Sequence, residues 1–521
     1  MRTKLWMLAA AGLLIALRLI PVFQGGPVFS IDAWPLLANS NLLLHAGHAE
    51  FFPCQQQPSC YFASWPSLEV LSVQLSSVTG IPLLYVPLVV VSASTALQFF
   101  AVLLLCKLFV GKYWPGALFL LADAPANLFY SGFKQEMYAM SIAVLAIFIV
   151  AKKMQNLSGK DLVAFSIAGL GVVFGHHYST YILAAAVTGP IVYSLLRVET
   201  NGKSSYRLAG VILLTLMAAY YVTQFSYISA VSGYNLSFII TLLSYDTVLG
   251  MLAFRLLNSN RQVGFPRFFA AFALAGIVFT PFLGKFLYVP LDSASIISQI
   301  VFLLPLLPVA SLGLASIISA DRERGSIILF WFVAPLAVSI FAIFDGNAVL
   351  AYRGYVAATI PSAVAFSAAL SWMAGSRSKS NSIKVYTLIF LFAVSVTAGV
   401  YSEVLPVYSA RDIFDGSTWF YPTSQLTAVS DASRLVQQNT TIFTDLPTLS
   451  YFFMLQNRSV TAALPQSFAG EEKSGVLLLQ QSDDNEFYFT GNYASLTVNL
   501  SSLARSNTLF RGAGYSIYAS G

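Results

Sequence analysis

The sequence predicts an α-helical polytopic membrane protein of about 13 transmembrane helices, ending in a small C-terminal α/β extracytoplasmic domain. Three observations carry this reading. Of the 521 residues, 57% are hydrophobic and 10% charged, against roughly 25% charged in ordinary soluble domains. Apolar stretches of about 20 residues, each able to cross a hydrocarbon core of about 30 Å, recur through the first 405 positions. After Glu403 the character changes: residues 406–521 hold Asp412, Asp415, Asp445, Asp483, Asp484 and Glu486 among many Ser, Thr and Asn. No stretch there could span. In lipid the spanning segments must be helical, since no water satisfies bare backbone groups.

Spans are predicted near 5–23, 82–106, 114–131, 136–151, 161–175, 178–196, 208–228, 236–254, 268–288, 296–318, 326–344, 350–373 and 385–404. Charge orients them. Of the 28 Lys and Arg, six lie beyond position 405, and Arg18, Lys134, Lys285 and Arg353 fall in outer halves or outer turns. The remaining cations line the inner ends, the positive-inside pattern. The N-terminus is therefore cytoplasmic, the C-terminal domain extracellular, and the chain a multi-pass protein of the cell membrane. The net charge of +6 and pI of about 9.0 express this topology and imply no nucleic acid. The first apolar segment follows Arg2 and Lys4, lacks a small-residue cleavage site and is interrupted by Arg18, so it reads as a retained helix.

Residues 1–405 thus form a transmembrane domain and 406–521 a soluble one. The first outer loop, about 24–79, far exceeds the usual connection of 4–6 residues, and such length marks function. Asp32–Leu44 suits a helix lying flat on the membrane, and a second helix is predicted from Pro66. In PCQQQPSC, Cys54 and Cys60 lie in an outer compartment that permits a disulfide between them. Cys106, near the inner face, reads as a reduced filler.

The outer end collects the unusual polar residues: Asp32, His45, His48, Glu50 and Glu69 in the first loop, Asp123, Lys134, Glu136 and Tyr138 in the second, then His176, His177 and Tyr178, and later Tyr234, Lys285, Asp292, Asp345 and Arg353. Ionisable groups at membrane depth are costly and are functional candidates by default. Each also has a plainer reading. Asp32 could cap the flat helix, and Asp123, ahead of Pro125, could be a turn residue. Glu136 suits a helix N-terminus. Lys134 and Lys285 could snorkel to headgroups. His176 and His177 resemble a metal pair, but neighbours on a helix point in different directions. Arg353 stands in the first turn of an apolar helix on the side that should lack positive charge, and Arg18 is oddly placed too.

An outer carboxylate, several cations and a lipid-facing wall suit transfer from a lipid-phosphate donor. A carboxylate acts as general base on an acceptor hydroxyl, while Arg and Lys stabilise the departing phosphate. Motifs for other chemistry are absent: no GxxxxGK[ST], HExxH, GxSxG or CxxC occurs.

SIDAWPLL opening the first outer loop, YFASWPSLEV later in it, SGFKQEMYA in the second and YRGYVAATIP at a late helix resemble the GT-C superfamily of polytopic glycosyltransferases, particularly its archaeal members. The plan is similar to protein O-mannosyltransferases, lipid A aminoarabinose transferases and oligosaccharyltransferase catalytic subunits. The resemblance implies an inverting transferase that takes a sugar from a polyprenyl- or dolichyl-phosphate donor to a glycan, lipid or protein acceptor. It implies catalytic roles for Asp32 and Asp123, which are also the candidate ligands of a divalent cation (Mg or Mn). It places Arg353 at the donor phosphate. By their own position at the outer end, Lys134, Lys285 and Arg18 are further candidate cations for that phosphate, and Glu136, His176, His177 and Tyr178 are candidate acceptor or metal contacts. The chain departs from the oligosaccharyltransferases in lacking a WWD-type motif and in a short late outer loop near Gly284–Ser295. It lacks the paired first-loop acids of the O-mannosyltransferases. No cofactor is fixed by the sequence.

In the soluble domain, SQLTAVSDASRLVQQN reads as helix, while TIFTDLPTLSYFF and GVLLLQQ read as short apolar strands, and the ending LFRGAGYSIYAS resembles the terminal strands of GT-C chains. It carries no catalytic constellation. Two other functions stay open: a flippase or transporter of lipid-linked saccharides, and a non-catalytic membrane assembly subunit.

Overall fold

The computed structural model describes residues 2–25, 28–30, 32–46, 65–154, 157–196, 204–232, 306–345, 348–374 and 379–400, and beyond these mainly strand residues between 434 and 519. In chain order the helices are α1 (Arg2–Gly25), α2 (Ala33–Ala46), α3 (Ser67–Thr79), α4 (Val86–Val110), α5 (Trp114–Ala122), α6 (Ala124–Phe129), α7 (Gln135–Lys153) and α8 (Gly159–Val173). They continue with α9 (His177–Leu196), α10 (Ser204–Ser232), α11 (Leu306–Ala320), α12 (Arg322–Asp345), α13 (Ala348–Ala374) and α14 (Lys379–Gly399). The chain divides into two compact units. The first holds Met1–Arg18, Ser92–Tyr130 and Glu136–Ser409; the second holds Leu19–Val91, Ser131–Gln135 and Ala410–Gly521.

Among the described residues, four segments are long and apolar enough to cross a membrane: Leu5–Phe23, Leu83–Val110, Gln135–Lys153 and Tyr352–Ala374. Shorter apolar helices cover Tyr206–Val222, Val309–Ala320 and Val385–Ala398. The chain is a multi-pass membrane protein. The spans predicted over 236–254 and 268–288 lie outside the described residues. The span predicted over 114–131 is not one helix. It breaks at Asp123, whose ψ of 79° leaves the helical region. Pro125 explains the break: in a continuous helix its ring would meet the carbonyl four residues back, whereas at the second position of α6 it is tolerated.

In the first unit α13 packs against α11, α12, α5 and α14. Small residues let these backbones approach, which is how helices associate without a hydrophobic drive between them. A Cβ on Gly313 of α11 would run into the Ala365 carbonyl of α13, and one on Gly354 would lie 2.6 Å from the Pro335 carbonyl oxygen of α12. Phe119, Phe366 and Phe392 tie α5, α13 and α14 together with ring centroids 4.8–5.6 Å apart. Cys106 is a free, buried thiol, its sulfur 3.4 Å from Ser367 Oγ. At the start of α8, Ser158 and Asp161 form a reciprocal capping box.

In the second unit α2 and α3 pack together over fully buried Trp34 and Trp65. Helix α3 ends where Gly80 turns left-handed at φ 73°, its N–H on the Ser76 carbonyl. The described strands are β1 (Ile442–Thr444), β2 (Val460–Ala462), β3 (Val476–Gln480), β4 (Glu486–Phe489), β5 (Asn492–Ser495), β6 (Asn507–Gly512) and β7 (Tyr515–Ala519). Five of them form a sheet in the order β2-β1-β3-β7-β6, parallel from β2 to β3 and antiparallel through β7 and β6. Strands β4 and β5 pair separately. Of the helix predicted within SQLTAVSDASRLVQQN, only isolated positions are described, and Cys54 and Cys60 lie outside the described residues.

Candidate functional site

Arg353 stands near the start of α13 and Glu136 in the first turn of α7. Arg353 Nε lies 3.9 Å from Glu136 Oε2, a charge pairing longer than a hydrogen bond. The partners differ in setting: the Arg353 side chain is 27% exposed and Glu136 3%. Beside Arg353, Tyr352 meets Phe129 of α6 edge-on at 5.8 Å. His176 and His177 enter α9 here, and both feel the charge of Arg353. Their rings lie 4.6 Å apart, so these neighbours do share one locality. The chain leaves α8 just before them, and the helical fan of side-chain directions does not yet apply. Burial first, then the charges of His177 and Arg353, hold the His176 imidazole well below its ordinary range. Ser179 makes long 3.5 Å contacts to His176 Nδ1 and to the Glu136 carbonyl. Tyr178 is buried and stacks with Tyr181 at 6.5 Å.

A second cluster surrounds Arg18, which is 1% exposed. Its Nε donates to Asn127 Oδ1 at 3.2 Å, and its terminal nitrogens donate to Gln98 Oε1 at 2.7 Å and Thr95 Oγ1 at 3.4 Å. The guanidinium lies over the Tyr130 ring, 5.1 Å from its centroid. Asp123 is an electrostatic neighbour of Arg18. Its carboxylate caps α6, accepting from the Ala126 N–H at 3.4 Å.

Asp32 and Lys134 belong to the second unit. Asp32 stands partly exposed on the turn leading into α2, closed by the Ala33 N–H on the Ser30 carbonyl at 3.2 Å. Ser30 holds φ at 91°, the left-handed region that L residues rarely adopt. Gly132 accounts for the squeeze. A Cβ there would lie 2.8 Å from Ser30 Cβ and 2.7 Å from Lys134 Cε. The Phe133 N–H donates to the Phe29 carbonyl at 3.3 Å, so the SID and SGFK segments cross at this glycine. Lys134 itself is buried.

Nearby in the same unit Gln135 Nε2 donates to the Trp65 carbonyl at 2.7 Å and to the two Glu69 carboxyl oxygens at 3.2 and 3.4 Å. Burial raises Glu69 to about 8, against the opposing hydrogen bonds of its backbone, Gln135 and Asn39.

The structure thus brings Glu136, Arg353, His176, His177 and Tyr178 together, groups Arg18 with Asp123, and places Asp32 and Lys134 in the other unit. Lys285 lies outside the described residues. Sequence reasoning missed Thr95, Gln98, Asn127 and Tyr130. A lone Gln in the apolar run of α4 was the available signal, since such a group inside lipid needs a partner.

No protein-family model matches the chain, and no curated protein matches its sequence. Among solved structures, the arabinofuranosyltransferase AftD from Mycobacteria aligns with 99% of this chain at 12% identity and a TM-score of 0.51. At that identity the likeness is one of fold. ArnT from Cupriavidus metallidurans, in the apo state, aligns with 100% of this chain and 98% of its own at 10% identity and a TM-score of 0.44. The chain spans 40% of AftD's length.

Proposed function

We propose that the protein is an inverting glycosyltransferase that moves a sugar from a polyprenyl- or dolichyl-phosphate donor to an acceptor hydroxyl on the outer face of the membrane. The observation that supports this reading best is Arg353, a partly exposed cation at the head of an apolar helix and paired with a buried carboxylate. Its planar fork suits phosphate oxygens. Lys134 and Lys285 are further candidate cations.

In the proposed step Asp32 accepts the acceptor's hydroxyl proton. The acceptor oxygen bonds to the anomeric carbon as the bond from that carbon to the phosphate oxygen breaks. The electron pair leaves with the polyprenyl phosphate, whose charge Arg353 stabilises, and the proton on Asp32 passes to water. Neutral His176 and the rings of His177 and Tyr178 are assigned to the acceptor side. The resemblance allows a divalent cation at Asp32 and Asp123. Asp123 is already engaged by the Ala126 N–H and lies beside the Arg18 charge, which opposes a cation there, so the proposed transfer uses none and Asp123 is assigned to holding the acceptor.

The competing reading, a transporter of lipid-linked saccharides, has one observation in its favour: Arg18, Thr95 and Gln98 put polar groups inside two spans. One experiment separates them. Purified protein in nanodiscs, given a panel of polyprenyl-phosphate sugars with and without chelator, should release polyprenyl phosphate, and Asp32→Asn should abolish the release while donor binding survives. Release at the wild-type rate by Asp32→Asn would overturn the reading.

A further inference from the structure

We infer that Arg18 is a positioning residue: its guanidinium, held by Gln98, Thr95 and Asn127 over Tyr130, locks the α5–α6 joint and thereby sets Asp123. Asn127 turns this contact into a clamp. While accepting from Arg18, it donates through Nδ2 to the Leu120 carbonyl at 2.9 Å. One side chain therefore links α1 to the last turn of α5 from its own place in α6, across the break. Asp123 sits at that break, with its carboxylate on the Ala126 N–H and its carbonyl accepting the Asn127 N–H at 2.9 Å. A shift of Arg18 would move Asn127, and Asn127 cannot move without Asp123.

A direct phosphate contact by Arg18 fits these facts less well. The guanidinium is enclosed, and three of its five N–H donors are taken by neutral oxygens from α4 and α6. The Tyr130 hydroxyl and Gln98 Nε2 are buried with no hydrogen-bond partner among the described residues. Tyr130 also feels the charge of Glu136.

The inference rests on the transferase reading only for the meaning of Asp123, and the experiment keeps the two apart. Arg18→Gln, Asn127→Leu and Arg353→Gln would be compared in nanodiscs for turnover of the panel donors and for binding of undecaprenyl phosphate. Arg18→Gln and Asn127→Leu should each lower kcat about 100-fold with donor KM unchanged, the signature of a misplaced catalytic group. Both should bind undecaprenyl phosphate as wild type does, whereas Arg353→Gln should weaken that binding about tenfold or more. Loss of undecaprenyl phosphate binding in Arg18→Gln, or full kcat in both clamp variants, would overturn the inference. If no panel donor turns over even in wild type, the transferase reading fails, and thermal melts still decide this one. Arg18→Gln/Asp123→Asn should then melt no lower than Arg18→Gln alone, and additive losses would refute the coupling.

Discussion

Arg353 and Glu136 face each other at 3.9 Å, the first partly exposed and the second enclosed. A buried carboxylate without a cation is costly, so Glu136 fixes where the guanidinium stands. A guanidinium has five N–H donors, more than one carboxylate can engage, and the exposed side of Arg353 is the side a phosphate could reach.

Removing Arg353 should therefore act on the transition state. We expect Arg353→Ala to lower kcat/KM by about 100- to 1000-fold and Arg353→Lys to fall between it and wild type, because an ammonium cannot bind in a fork. Glu136→Gln should raise donor KM through a displaced Arg353. Steady-state kinetics of all three decide the matter, and wild-type kcat/KM in Arg353→Ala would remove Arg353 from the site.

Glu69 predicts a pH dependence of stability. Its folded value of about 8 lies above the ordinary 4.5, so the folded chain keeps a proton that the unfolded chain loses. The contribution is full below about pH 4.5 and is lost as pH rises toward 8, with a slope of at most about 1.4 kcal/mol per pH unit. Glu69→Gln copies the protonated acid and should flatten the fall in melting temperature between pH 5 and 8. An unchanged slope in that variant would show that the group titrates normally.

The crossing of Ser30 and Gly132 makes opposite predictions for its two members. Ser30→Gly relieves a φ of 91° and should stabilise the protein by about 1 kcal/mol. Gly132→Ala forces apart Ser30 and Lys134 and should destabilise it by about 1–3 kcal/mol. Melting of the two variants in the same nanodiscs should bracket the wild type.

Gly313 is the point at which α11 meets the backbone of α13. The backbone cannot yield there as a flexible side chain would, so Gly313→Leu should give little folded protein by size-exclusion chromatography. A well-folded Gly313→Leu would contradict the close approach.

Hydropathy and charge placement made the helical membrane class legible, because lipid leaves the chain few alternatives. The helices at Ala33–Ala46 and Ser67–Thr79 were legible too, from amphipathic pattern and Pro66. The break at Asp123 was harder to see. The run from Trp114 to Ser131 is apolar enough to read as one span, and only backbone sterics at Pro125 divide it. In the site, Arg353 stood out by sign and position, but its pairing with Glu136 joins residues 217 positions apart, which no local pattern encodes. Arg18 was visible as an anomaly without its explanation, since its partners lie on two separate later segments, α4 and the α6 turn.

The enclosure of Arg18 also carries a consequence for how the chain is made. Its first hydrogen-bonding partner, Thr95, is 77 residues downstream and Asn127 is 109. At translation rates of about 5–20 residues per second, the first helix waits roughly 4 to 22 s for them. Through that interval a guanidinium within an apolar helix carries a penalty of about 2.5–3.5 kcal/mol. Helix α1 is thus completed only when the α5–α6 segment arrives, which makes its docking a checkpoint in biogenesis.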